Sequence, residues 1–136
     1  MRAYNPAITR FRKRLLMAYR VDSGVGSRIQ RRIGLCELDE SLCVIPGTVT
    51  PVSDSILGGH PLHYDPRFLI FQDRLFIHYN NNFNTLPNHI YLVELDPHTY
   101  RAVSGARELR LVGPRAPRRA RRGRAREQQR EPPRRG

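Results

Sequence analysis

The segment Tyr64-Asp65-Pro66-Arg67 brings an aromatic ring, a carboxylate and a guanidinium together within four residues. A carboxylate so placed is the sharpest candidate for a functional group in the chain. Pro66 biases Asp65 toward extended backbone, which predicts the carboxylate at the start of a strand. Asn5, within Tyr4-Asn5-Pro6, stands at the matching place of an earlier copy of the motif. Arg20 follows an apolar run and offers charge-assisted hydrogen bonds to a sugar or phosphate oxygen. Each residue also has a plainer reading. An Asp beside a turn commonly satisfies backbone amides, and an Arg at a strand end is commonly a solvated surface residue.

Other polar groups carry weaker signals. The histidines are 60, 63, 78, 89 and 98, and His60 and His63 precede Asp65 closely enough to line the same pocket. Their spacing with a single Asp is not repeated elsewhere, so no metal is expected. Cys36 and Cys43 have neither zinc-ligand spacing nor the pattern of a disulfide framework. Cys36 reads instead as a small buried hydrophobe. Asn80-Asn81-Asn82 with Asn84 forms a polar loop that suits either a polyol or a solvated turn. The chain holds no glycine-rich phosphate loop, no nucleophile elbow and no Cys–His pairing, and no cofactor is expected.

The elements that must position these residues come in two copies. At an offset of 60, Tyr4, Pro6, Phe11, Arg14, Leu15 and Tyr19 meet Tyr64, Pro66, Phe71, Arg74, Leu75 and Tyr79. At an offset of 57, Ile33, Leu35, Glu37, Leu38 and Asp39 meet Ile90, Leu92, Glu94, Leu95 and Asp96. Self-similarity at a fixed period marks a repeat architecture. Each copy reads as β-structure: a strand, a polar break at Arg12-Lys13 or Gln72-Asp73, and a second strand, the pattern of a hairpin. A third strand is predicted over Arg32–Leu38 and His89–Leu95. A fourth is predicted over Leu42–Ile45 and Tyr100–Val103. Four short strands joined by turns are the build of a β-propeller blade. The expected class is therefore all-β, with two four-stranded antiparallel blades; an eight-stranded sandwich is the alternative. The expected units are residues 1–112, with blade one over about 3–50 and blade two over about 60–112, and a tail over 113–136.

The formal charge of +12 is mostly a property of that tail. Residues 113–136 contain ten Arg and two Glu, and no Phe, Tyr, Leu, Ile or Val. Such a composition cannot bury enough apolar surface to offset its ordering entropy, so disorder is expected there. The tail suits nonspecific contact with polyanions, without the aromatic residues that stack on bases. No stretch has the apolar length of a membrane-spanning helix and no secretory signal follows Met1, which points to a soluble, cytoplasmic protein. Propellers close with four to eight blades. Two blades are thus expected to be part of a longer propeller, from a truncated or frame-shifted gene, or a unit that completes itself by self-association.

Asn5-Pro6-Ala7-Ile8, Leu15-Leu16-Met17-Ala18-Tyr19-Arg20, Tyr64-Asp65-Pro66-Arg67 and Leu75-Phe76-Ile77-His78-Tyr79 together resemble the opening blades of five-bladed propeller glycosidases. The order is most similar to glycoside hydrolase family 130, the β-mannoside phosphorylases and mannosidases, over about residues 3–112. The resemblance implies that Asp65 supplies the catalytic proton. It implies that Asn5 and Arg20 hold the sugar beside the scissile bond and that Tyr64 shapes the same subsite. It further implies a carbohydrate substrate, with inorganic phosphate as a co-substrate of the parent family. The family's phosphate-binding residues come from later blades that this chain lacks. The chain is accordingly expected to be a truncated glycoside hydrolase or phosphorylase, inactive by itself. The alternative is a non-catalytic propeller-like interaction module whose basic tail binds polyanions.

Overall fold

The computed structural model describes residues 2–81 and 87–110 of the 136. The basic tail expected over 113–136, and Asn82 and Asn84 of the polar loop, lie outside the described residues. Seven strands run in order: β1 (Arg2–Phe11), β2 (Arg14–Ser23), β3 (Gln30–Leu38), β4 (Tyr64–Phe71), β5 (Arg74–Asn80), β6 (Ile90–Leu95) and β7 (Arg107–Leu109). They form two antiparallel sheets, β1-β2-β3 and β4-β5-β6-β7. No α-helix occurs among the described residues, only two short 3-10 turns at Gly26–Arg28 and Val52–Ser55.

The repeat seen in the sequence is a repeat of register. Leu15, Met17 and Tyr19 of β2 face Leu38, Cys36 and Gly34 of β3. Their counterparts Leu75, Ile77 and Tyr79 of β5 face Leu95, Val93 and Tyr91 of β6. Both hairpins turn at the two polar residues expected, closing Phe11 on Arg14 and Phe71 on Arg74. Each copy fastens its second strand to its third with an equivalent Arg–Glu ion pair. Arg14 lies 3.1 Å from Glu37, and Arg74 Nε donates to Glu94 at 2.7 Å.

The fourth strand is not where the sequence suggested. At Leu42–Ile45 and Tyr100–Val103 only isolated bridges form, Leu38 with Val44 and Leu95 with Ala102. A turn around Asp39 or Asp96 occupies the preceding residues: each carboxylate accepts backbone N–H groups two or more residues ahead, and Leu42 and Tyr100 adopt positive φ. The fourth position is filled later, by β7 in the second sheet. In the first sheet the equivalent place holds the single pair Leu35 and Thr50. Pro51 follows Thr50 and has no N–H to give, and the chain turns into Val52–Ser55 instead. The first sheet therefore has three strands, and the expected pair of four-stranded units becomes three plus four.

One face of each sheet is buried against the other. Leu16, Ala18, Ile33 and Leu35 of the first sheet pack with Leu75, Ile77, Tyr79, Val93 and Leu95 of the second, with Phe11, Val52 and Tyr100 at the margins. Period-two alternation puts each set on a single face. Gly59, at φ +70, lets the connecting chain pass close to this core: a Cβ there would stand 2.7 Å from Tyr79 Oη. Cys36 is buried and Cys43 exposed, both as free thiols.

The connection between the sheets is tied inward at His63. Ser53 Oγ accepts the Ile33 N–H at 2.6 Å and lies 2.6 Å from His63 Nδ1. Burial of this contact favours the neutral imidazole. Burial, then the nearby Arg32 guanidinium, depress the His63 pKa to about 4. Burial and then Arg67 depress His78 in the same direction. As pH falls, the unfolded chain takes up these protons first. Stability is therefore full above the ordinary histidine pKa of 6.5 and declines as pH falls toward about 4. His63 alone accounts for a loss of about 3 kcal/mol across that window. Urea unfolding midpoints should drop steadily between neutral pH and pH 4, and His63→Gln should flatten the slope. An unchanged slope in His63→Gln would place the titration elsewhere.

Candidate functional site

Asn5 and Asp65 meet because each sits in a β-bulge. The register of β1 on β2 shifts between Tyr4 and Ala7, and that of β4 on β5 shifts between Tyr64 and Arg67. Pro6 and Pro66 cannot donate to a ladder, so an unpaired bulge is where a strand accommodates them. Asn5 and Asp65 adopt left-handed backbone, with φ of 48° and 49°. The extended conformation expected from the following proline is thus corrected. Asn and Asp are the non-glycine residues that tolerate this region best.

The bulges turn the two side chains toward each other. Asn5 Nδ2 donates to Asp65 Oδ1, and Arg20 NH1 stands 3.4 Å from the same oxygen. Arg67 donates to the carbonyls of Pro66 at 2.8 Å and Asn5 at 3.3 Å. It holds the bulges rather than the charge.

Arg20 lies within β2, not at its end. Its guanidinium carbon is 4.9 Å from the Tyr4 ring centroid and 5.2 Å from that of Tyr64, a cation held by two π faces. Tyr64 is buried, and Arg31 lies 5.0 Å from its ring as well. Its ring is a platform for two guanidinium groups. Arg20 Nε is 2.9 Å from Asp22 Oδ1, and Arg31 Nε is 3.7 Å from Asp22 Oδ2. These are charge pairs without hydrogen-bond alignment, which leaves Arg20 Nε, Arg31 Nε and Asp22 Oδ1 buried with polar capacity unused. A cleft of about 340 Å³, lined by Arg2, Tyr4, Asp22, Ser23, Gly24 and Ile29, opens beside this cluster.

Sequence reasoning missed Tyr4, Asp22 and Arg31 as members of this cluster. A signal was present: Arg20 and Asp22 share one face of β2 at period two, and Asp22 pairs with Arg31 across the ladder. The other candidates lie elsewhere. His63 is buried in the connection, and His60 Nδ1 accepts the Leu62 N–H at 3.1 Å. Asn81 is buried and closes its own loop: its Oδ1 accepts the His89 N–H at 2.7 Å, and its Nδ2 donates to the Pro87 carbonyl at 3.4 Å. Among the described residues no group of three His, Cys, Asp or Glu is arranged to hold a metal. None of their helices is long and apolar enough to cross a membrane.

The chain matches no protein-family model, no curated protein and no solved structure. The resemblance to glycoside hydrolase family 130 is therefore withdrawn. It rested on short motifs at matching order, and the three- and four-stranded sheets do not form a closed propeller. Those motifs have a local physical cause, the proline bulges and hairpin turns, which any pair of similar β-units would share.

The bulge conformation can be tested separately from the charge. Asp65→Asn keeps a side chain that tolerates positive φ, whereas Asp65→Ala does not. Asp65→Ala should be less stable than Asp65→Asn by about 1 kcal/mol in chemical denaturation. Equal stabilities would mean that the left-handed backbone at residue 65 costs nothing.

Proposed function

We propose that the Asn5–Arg20–Asp65 cluster binds a neutral polyhydroxyl ligand, a carbohydrate, and that the two sheets presenting it are propeller-type blades. The observation that carries this reading is the pair of equivalent bulges that aim an amide and a carboxylate at one point beside a ring-held guanidinium. The contacts of Asn5 and Arg20 both fall on Oδ1 of Asp65, and Oδ2 takes part in neither. A carboxylate oxygen, an amide and a guanidinium together offer the acceptor and donors that adjacent sugar hydroxyls require. Charge is nearly balanced within the cluster, since Asp22 and Asp65 oppose Arg20 and Arg31. That balance favours a neutral ligand over an anion. The blade reading is supported by the shared register of the two sheets and by the packing of β4 across β1, β2 and β3.

Asp65 is the carboxyl group that a proton transfer at this site would involve. Glycoside cleavage through paired carboxylates needs a second one free to act as base or nucleophile. Asp22, the other carboxylate of the cluster, is flanked by two guanidinium groups. Binding without turnover is therefore expected. Cleavage of β-mannosides rested on the withdrawn resemblance and forms no part of the proposal.

Titration of the 136-residue chain with mannose, methyl β-mannoside and inorganic phosphate, followed by calorimetry, tests this reading. Saturable sugar binding near the millimolar range, about −4 kcal/mol, is expected. Arg20→Ala and Asp65→Ala should abolish it, and phosphate should not compete. Phosphate binding without sugar binding would make this an anion site. A mannose-1-phosphate or mannose release assay should stay at background. Release that vanishes in Asp65→Asn would show that a working acid is present after all.

A further inference from the structure

The two sheets are equivalent units, yet they bury opposite faces. The first sheet buries the face of Leu16, Ala18, Ile33 and Leu35. In the second sheet the corresponding residues are Phe76, His78, Ile90 and Leu92, and they lie on its outer face. The second sheet buries the face of Leu75, Ile77, Tyr79, Val93 and Leu95. Its counterpart in the first sheet is Leu15, Met17, Tyr19, Cys36 and Leu38, again on the outside of the pair. The units thus pack front to back, and each end of the pair presents the surface that would continue the stack.

Exposure at equivalent positions shows what each end lacks. Phe11 is 3% exposed and its counterpart Phe71 is 56%. Ile33 is 1% exposed and its counterpart Ile90 is 45%. At the other end, Phe68 packs against the core while its counterpart Ile8 is half exposed. Ala102 and Ala106 also pack against the core, and their counterparts Val44 and Val49 are exposed. Two clefts open on this outer face of the first sheet. One, of about 360 Å³, is lined by apolar groups including Pro6, Met17, Cys36, Val44 and Val49. The other, of about 430 Å³, lies between Tyr19, Gly34 and Pro51.

We infer that a second copy of this chain docks head to tail, seating the outer face of its first sheet on the outer face of the second sheet of its neighbour. The contact repeats the one already made within the chain. Phe71, Phe76 and Leu92 of one copy enter the clefts over Met17, Tyr19 and Cys36 of the next, as Phe11, Leu16 and Leu35 cover Ile77, Tyr79 and Val93 inside each chain. The same step brings Asn5 of the added copy toward Asp65 of the first. The polar links at the margin are not all repeated. Arg12 pairs with Asp73 at 2.8 Å within the chain, whereas the matching pair between copies is Lys13 with Gln72, which neither attracts strongly nor repels. Apolar burial therefore drives the contact. A front-to-back interface is heterologous, so assembly proceeds until the rotation closes a ring or continues as a filament. This inference is independent of any sugar binding.

Sedimentation velocity on the full chain tests it through a pattern that only a head-to-tail contact gives. The wild type should assemble with rising concentration and persist in high salt. Phe71→Glu removes one face and Ile8→Lys the other, so each variant alone should be monomeric. Their equimolar mixture should form dimers and stop there, because only one intact pair of faces remains. Both positions are exposed in the single chain, and circular dichroism should show unchanged β-structure. Leu69→Glu with Met17→Lys provides an independent second pair. A monomeric wild type, assembly retained by either single variant, or a mixture that stays monomeric would each overturn the inference.

Discussion

The structure depends on one apolar contact between unlike faces of two like sheets. Leu16, Ala18, Ile33 and Leu35 lie against Leu75, Ile77, Val93 and Leu95, all essentially excluded from solvent. Each Leu, Ile or Val side chain among them contributes about 1.5–3 kcal/mol when fully buried. No other feature of the described residues joins the sheets over a comparable surface. The contact lays β4 across β1, β2 and β3. Asn5, Arg20 and Asp65 come from three different strands, and only this placement brings them together. Of the ion pairs between the sheets, Arg12 with Asp73 is exposed and contributes little, and Arg20 with Asp65 is part-buried at 3.4 Å.

A second chain of cause starts from two prolines. Pro6 and Pro66 lack the N–H that a ladder would use, so both strands bulge at the preceding residue. The bulge demands left-handed backbone, and Asn or Asp meets that demand at low cost. Once bulged, the residue no longer alternates between the faces of its sheet. Its side chain projects from the strand edge toward the neighbouring unit. The polar cluster is a consequence of how these strands tolerate proline. Tyr4 and Tyr64, one residue earlier, supply the rings that hold Arg20 between them.

The sequence carried the fold further than it carried the site. The repeat was legible because the same side chains recur at offsets of 60 and 57, and register follows from such spacing. Hairpin turns at Arg12-Lys13 and Gln72-Asp73 were legible from polar breaks between apolar runs. The fourth strands were misplaced because Leu42–Ile45 and Tyr100–Val103 have apolar composition but follow a capped aspartate turn, which redirects the chain. Composition cannot register that redirection. Asn5, Arg20 and Asp65 were recognisable as a set, since two stand at equivalent places and the third follows the same hairpin. Asp22 and Arg31 were within reach, sharing a ladder position beside Arg20, whereas the stacking of Arg20 and Arg31 on Tyr64 arises only when β4 meets the first sheet. The family resemblance failed for a related reason: motifs dictated by bulges and turns report local geometry, not descent.

Agreement and disagreement between the two copies separate packing from chemistry. Arg14 with Glu37 and Arg74 with Glu94 agree, and they do the same work of holding two strands in register. Leu15, Leu38, Leu75 and Leu95 agree for the same reason. Asn5 and Asp65 differ at positions with identical backbone, and the difference has an electrostatic basis. Two carboxylates turned toward one point would repel, and two amides would give Arg20 no counter-charge. One of each satisfies both constraints, with the amide donating to the carboxylate and the guanidinium balancing it. Arg20 and Asn80 differ correspondingly, because only the first copy has a carboxylate from the other unit to meet. At this point the difference between the copies brings together groups that neither unit offers alone.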